Sequence, residues 1–158
     1  MTEIEFQNFV DNYSKDDFEK IRFDWNGKHA DEFHDNNYDF RMSLCEFLVD
    51  KLVGVKLELI SDLFKELGKS SKETWSVYGK FHLFGQQILK RGTPDNVMDY
   101  LFGAVQSFDT VLSSGQLDLT TDQKKKIGEY IKTRLQTEKD EKNIRLLKFG
   151  LDRFQIKQ

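Results

Sequence analysis

Apolar residues recur three and four positions apart along most of this 158-residue chain, the spacing that gives an α-helix one buried face. The pattern is densest between Ser70 and Gly115. There Trp75, Tyr78, Phe81, His82, Gly85, Ile88 and Leu89 make one stripe, and Val97, Leu101, Ala104, Val105, Phe108 and Leu112 make another. Ser70 with Glu73 is a capping-box signal for the start of the first helix. Gly92 suits the left-handed residue that closes it, Thr93 is an N-cap, and Pro94 fits the first helical position of the second. The turn Arg91-Gly92-Thr93-Pro94 is short enough to make two long helices antiparallel neighbours.

The flanking chain repeats the theme. Thr2 and Glu5 cap a stripe of Phe6, Phe9, Val10 and Tyr13. Ser14 with Asp17 opens a short helix carrying Phe18 and Ile21. Ile21, Phe23 and Trp25 alternate with polar residues as a strand would, but no partner strand is visible, so helix followed by irregular chain is the expectation. Asn26-Gly27 marks a turn, and the acidic, His-containing residues 28–37 are expected to form a loop or a frayed turn of helix. Asn36 or Asn37 caps a helix with Phe40, Leu44, Phe47, Leu48 and Leu52, ending near Gly54. A further helix carries Leu57, Ile60, Leu63, Phe64 and Leu67 and ends at Gly68. After Gly115, Thr120 and Gln123 cap a helix with Ile127, Tyr130, Ile131 and Leu135. Thr137 with Asp140 starts the last, bearing Ile144, Leu147, Leu151 and Phe154.

The prediction is all-α: six to seven helices in antiparallel pairs within one domain over residues 1–158. Either a HEAT-like stack of αα-hairpins or a compact bundle satisfies the pattern. A single proline and an aromatic content dominated by 14 Phe favour helices packed on rings over a many-stranded sandwich.

Charge is small in total, −3, but unevenly placed. Residues 1–39 hold 11 Asp/Glu against 4 Lys/Arg, and residues 120–158 hold 6 against 11. An acidic surface attracts a basic partner and speeds encounter. The basic residues near the C-terminus, Lys124, Lys125 and Lys126 foremost, are interrupted by acidic ones, and direct nucleic-acid binding is not expected. Cys45 is alone, which excludes an internal disulfide, fits a reducing compartment and reads as a small buried side chain. The N-terminus lacks the basic start and apolar run of a signal peptide, and no stretch approaches the ~20 apolar residues of a membrane span. The expected location is the cytoplasm.

Catalytic signals are weak. GxGxxG, GxxxxGK[ST], GxSxG and CxxC are all missing from the sequence, so neither an enzyme nor a cofactor is predicted. His29 and His34 bracket Asp31 and Glu32, with Asp35 adjacent, but a spacing of five does not align two imidazoles on one helical face. A solvated acidic loop without metal is expected there, and His82 reads as a hydrogen-bonded core histidine.

The run Ser71-Lys72-Glu73-Thr74-Trp75, then Phe81-His82, then Ser107-Phe108-Asp109-Thr110 resembles the all-helical immunity proteins of bacterial contact-dependent and other polymorphic toxin systems. The likeness covers the middle third of the chain. It implies a cytoplasmic protein that binds one cognate toxin domain, often a nuclease with a basic groove, and blocks its active site or substrate path. The partner face expected on that basis is the acidic N-terminal third: Asp16, Asp17, Asp24, Asp31, Glu32, Asp35 and Asp39. Trp25 and Tyr38 are its aromatic anchors, although both rings also fit a core. The alternative is a helical-repeat adaptor or regulatory scaffold without catalysis.

Overall fold

The longest helix stands at the centre. A computed structural model describes residues 1–155. Among them eight α-helices follow in order: α1 (Glu3–Asn12), α2 (Tyr38–Leu48), α3 (Leu57–Thr74), α4 (Phe81–Arg91), α5 (Asn96–Ala104), α6 (Phe108–Ser114), α7 (Thr121–Thr137) and α8 (Glu141–Arg153). Short 3-10 segments occupy Lys15–Lys20, Ala30–Glu32 and Leu52–Gly54. The chain is all-α, as its periodicity predicts. The last three residues of the domain expected over 1–158 lie outside the described residues.

α3 packs against α4, α5 and α6, while α8 lies on α5, α7 lies on α8, and α1 meets α2. Several helices wrapped round one is the compact bundle, not the HEAT-like stack in which each hairpin meets only its neighbours. The crossing of α3 with α5 is tight because two glycines face it. A Cβ on Gly68 would stand 2.7 Å from the Gly103 carbonyl oxygen, and one on Gly103 would stand 2.5 Å from the Phe64 ring. Gly68 therefore marks a helix crossing and not the helix end that the sequence predicts. The Phe64 ring stacks on Phe81 at 4.2 Å and on Tyr100 at 5.8 Å. One cluster of buried apolar side chains extends from Phe6 in α1 to Leu151 in α8.

Both long helices of the predicted hairpin are broken. α3 runs straight through Ser70, which is buried, so the Ser70–Glu73 capping box does not form. The helix instead ends at Trp75, whose φ is +57°, and the chain restarts at Phe81. Gly92, expected in the left-handed region, has φ −73°. α5 stops at Ala104, and Ser107 caps α6 by accepting the Thr110 N–H at 3.1 Å. Each break rotates the stripe that follows. Trp75 is consequently 86% exposed and Phe108 76% exposed, with Leu112 also outside, although periodicity assigns all three to the core.

The other caps are closer to expectation. Thr2–Glu5 and Thr120–Gln123 form complete capping boxes. The last helix is capped by Asp140 and not Thr137. Ile21-Phe23-Trp25 does find a partner: Trp25 bridges Asp35 in antiparallel fashion. Among the described residues no helix is long and apolar enough to cross a membrane.

Candidate functional site

Residues 21–37 connect the first 3-10 segment to α2 with little regular structure, and they contain most of the predicted acidic face. A loop with no ladder to satisfy its backbone must satisfy it otherwise. Here asparagines do it. The bridge is closed by the Asn26 N–H donating to the His34 carbonyl at 2.9 Å and the Asn36 N–H donating to the Asp24 carbonyl at 3.1 Å. Gly27, at φ +77°, turns the chain between them. The Asn26 side chain accepts from the Lys28 and His34 N–H groups and donates to the Glu32 carbonyl at 2.7 Å. Asn37 Nδ2 donates to the Glu19 and Arg22 carbonyls.

A buried ion pair fastens the loop from below. Arg41 in α2 is buried, and its Nη2 donates to Asp35 Oδ2 while its Nη1 donates to the Ile21 and Arg22 carbonyls at 3.3 Å. Asp35 Oδ1 accepts from the Asp24 and Asn37 N–H groups, both at 3.1 Å. From α3, Glu66 accepts the Phe23 N–H at 2.8 Å. Asp35 is thus a correction: predicted for the outer face, it is buried because its carboxylate is needed as a hub for backbone N–H groups and a guanidinium. Arg41, which holds this loop in place, was not singled out from the sequence. Its signal was present, since Arg41 stands on the same helical stripe as Leu44, Cys45 and Leu48, and a charge on an apolar stripe demands a buried partner.

The remaining predicted residues divide into two groups. Asp16, Asp31 and Asp39 are exposed, and none enters an ion pair among the described residues. Glu32 is exposed but meets Lys28 at 2.6 Å. Asp17 pairs with Lys20 at 2.9 Å, and this bond first, with those from Ser14, holds its carboxyl below the usual carboxylate range. Asp24 is lowered too, first by the Asn36 amide and then by Arg22. Trp25 is half-buried: its ring stacks on Phe23, meets His29 edge-on at 4.9 Å, and donates Nε1–H to the Lys28 carbonyl at 2.7 Å. It belongs to the loop's own framework. Tyr38 is 43% exposed.

The histidines do not converge. His29 packs on Trp25, and His34 Nε2 bonds the Asn36 amide oxygen at 2.9 Å. Among the described residues no group of three or more His, Cys, Asp or Glu is placed to hold a metal ion. His82 is half-buried, but its Nδ1 has no hydrogen-bond partner among the described residues, so the bonded core histidine expected there is not found.

A second exposed surface was invisible in the sequence. Ser71 Oγ and Ser107 Oγ are 2.8 Å apart, which brings Trp75, one turn beyond Ser71, and Phe108, beside Ser107, to the same end of the molecule. A bulky residue in the left-handed region costs roughly 1–2 kcal/mol. Trp75 carries that strain without gaining burial.

No protein-family model, no curated protein and no solved structure matches this chain.

Proposed function

We propose that this chain is a cytoplasmic binding protein, without catalysis of its own, that neutralises a cognate toxin domain by stoichiometric contact through its acidic N-terminal loop. The observation that carries this is the fastening of the loop. The buried Asp35–Arg41 pair and the asparagine bonds fix its backbone before any partner arrives, and rigid loops lose less entropy on binding. Ala30 at φ +54° adds local strain of the kind that accumulates at recognition sites. The fixed loop presents Asp31 and Glu32 to solvent, and Asp16, Tyr38 and Asp39, on the elements that flank it in sequence, are exposed too. A nuclease domain with a phosphate-binding groove is a partner of fitting sign.

The test is titration calorimetry against a toxin module encoded beside this gene. A one-to-one complex is expected, weakened about a hundredfold by the triple variant Asp31→Lys, Glu32→Lys, Asp39→Lys, mainly through a slower and less salt-sensitive association. Unchanged affinity removes the proposed face.

The exposed, strained Trp75 favours one other function, an adaptor that docks through the Trp75–Phe108 end. Trp75→Ala separates the two: it abolishes capture by an adaptor partner and leaves binding through the acidic loop intact.

A further inference from the structure

Away from the loop, a groove of about 480 Å³ opens between the Lys15–Lys20 segment, α3, α5 and α8. Phe18, Met98, Phe102 and Leu146 give it an apolar floor. Its α3 wall is a row of charges, Asp62, Lys65, Glu66 and Lys69. The two carboxylates are buried and fully engaged. Asp62 Oδ2 accepts from the Tyr13 hydroxyl and from Lys15, both at 2.9 Å, and its Oδ1 meets Lys65 at 3.3 Å. Glu66 accepts the Phe23 N–H at 2.8 Å and Lys69 at 2.6 Å.

The ammonium groups are in the opposite condition. Each owns three donors. Lys15 gives one to Asp62 and one to Glu58, Lys65 one to Asp62 and one to Asp99, and Lys69 one to Glu66. Every one of them therefore keeps a donor with no protein partner among the described residues, and all three remain partly exposed. Lys142 from α8 adds a fourth cation: its Nζ lies 5.4 Å from the Phe102 ring centre, and that of Lys69 lies 5.8 Å away. Buried Asp62 and Glu66 thus position the lysines, and of the lining acids only Asp99 has to give way to a ligand. Asp99 is half-buried in the groove wall and pairs with Lys65 at 3.2 Å, while the exposed Glu58 lies outside the lining.

We propose that this groove binds a small amphipathic organic anion. The carboxylate pairs with the groove-lining Lys65 and Lys69, displacing Asp99 from Lys65, and an apolar body seats on Phe102, Met98 and Leu146. The volume falls within the range of small-ligand pockets, and an apolar floor with a few converging donors is their usual lining. Electrostatic attraction alone is screened at an exposed rim, so both halves of the ligand are needed.

Amide-detected NMR titration of the full chain tests this with three probes of one shape: 3-phenylpropionate, its uncharged amide, and phenethylamine. Saturable shifts at Met98, Phe102 and Asn143 are expected with the carboxylate, and binding at least about tenfold weaker with the other two. Lys65→Gln, which leaves Asp62 held by Tyr13 and Lys15, is expected to weaken the carboxylate about tenfold and leave the amide unchanged. Equal binding of all three probes, tighter binding of the amine, or no saturable shift up to about 10 mM overturns the proposal.

Discussion

Asp35 and Arg41 form an ion pair from which solvent is wholly excluded, both side chains being 0% exposed. Six residues apart in sequence, they join the irregular loop to the first turn of α2. Removing one partner leaves the other charged and buried, which costs about 3–5 kcal/mol. Asp35→Ala is expected to lose that much in urea unfolding. It also frees the Asp24 and Asn37 N–H groups, so amide exchange at Asn26 and Asn36 accelerates as the bridge opens.

The outward carboxylates have no such role. Asp31→Lys is expected to change unfolding free energy by less than about 0.5 kcal/mol, because its side chain is exposed and forms no ion pair among the described residues. Asp39→Lys, in the first turn of α2, is expected to cost about 0.3–1 kcal/mol through the helix dipole. The same urea titration checks this. A large loss in Asp31→Lys means that the loop uses that carboxylate internally.

Trp75→Gly is expected to stabilise the chain by about 1 kcal/mol, because glycine adopts φ +57° without the Cβ clash. At 86% exposure the indole loses almost no burial. Trp75→Ala keeps the strain and is expected to bring no such gain. Paired melting curves distinguish them.

Gly103→Ala places a methyl 2.5 Å from the Phe64 ring and 3.2 Å from its carbonyl oxygen. Phe64 is already stacked between Phe81 and Tyr100, so it has nowhere to move. Overpacking of this kind costs about 1–3 kcal/mol, measured as a lower urea midpoint at constant slope.

Two titrations carry opposite signs. Asp17 and Asp24 titrate below the usual carboxylate range when folded. The unfolded chain therefore takes up those protons first, and the stability they supply is complete above about pH 5 and declines below about pH 4. Burial pushes the Cys45 thiol up to about 12. Its contribution is complete below the free-thiol value of about 8.5 and is lost as pH rises from there towards 12. At pH 8 the folded chain is expected to leave Cys45 unlabelled by a thiol reagent that modifies it at once in urea.

What could be read from residues alone was local. The Thr2–Glu5 and Thr120–Gln123 boxes, the Asn26-Gly27 turn and the helical character of nearly every apolar stripe depend on neighbours within one turn, and all are found. Capping signals such as Ser70–Glu73 failed where a competing long-range contact was better. Ser71 reaches Ser107, and Gly68 lets α5 approach, so α3 continues past a signal that would start a helix in isolation.

The candidate site shows the same division. Acidic composition identified the region, and the distribution of Asp and Asn along residues 16–39 needed no structure to be seen. Only tertiary packing decided that Asp35 faces Arg41 while Asp31 faces water, because burial of a charge depends on a partner brought from another element. Periodicity states which side chains share a face; it contains nothing about what that face meets. Where the chain bends, at Trp75 and at Ser107, the meeting surface changes, and rings spaced for a core end up in solvent.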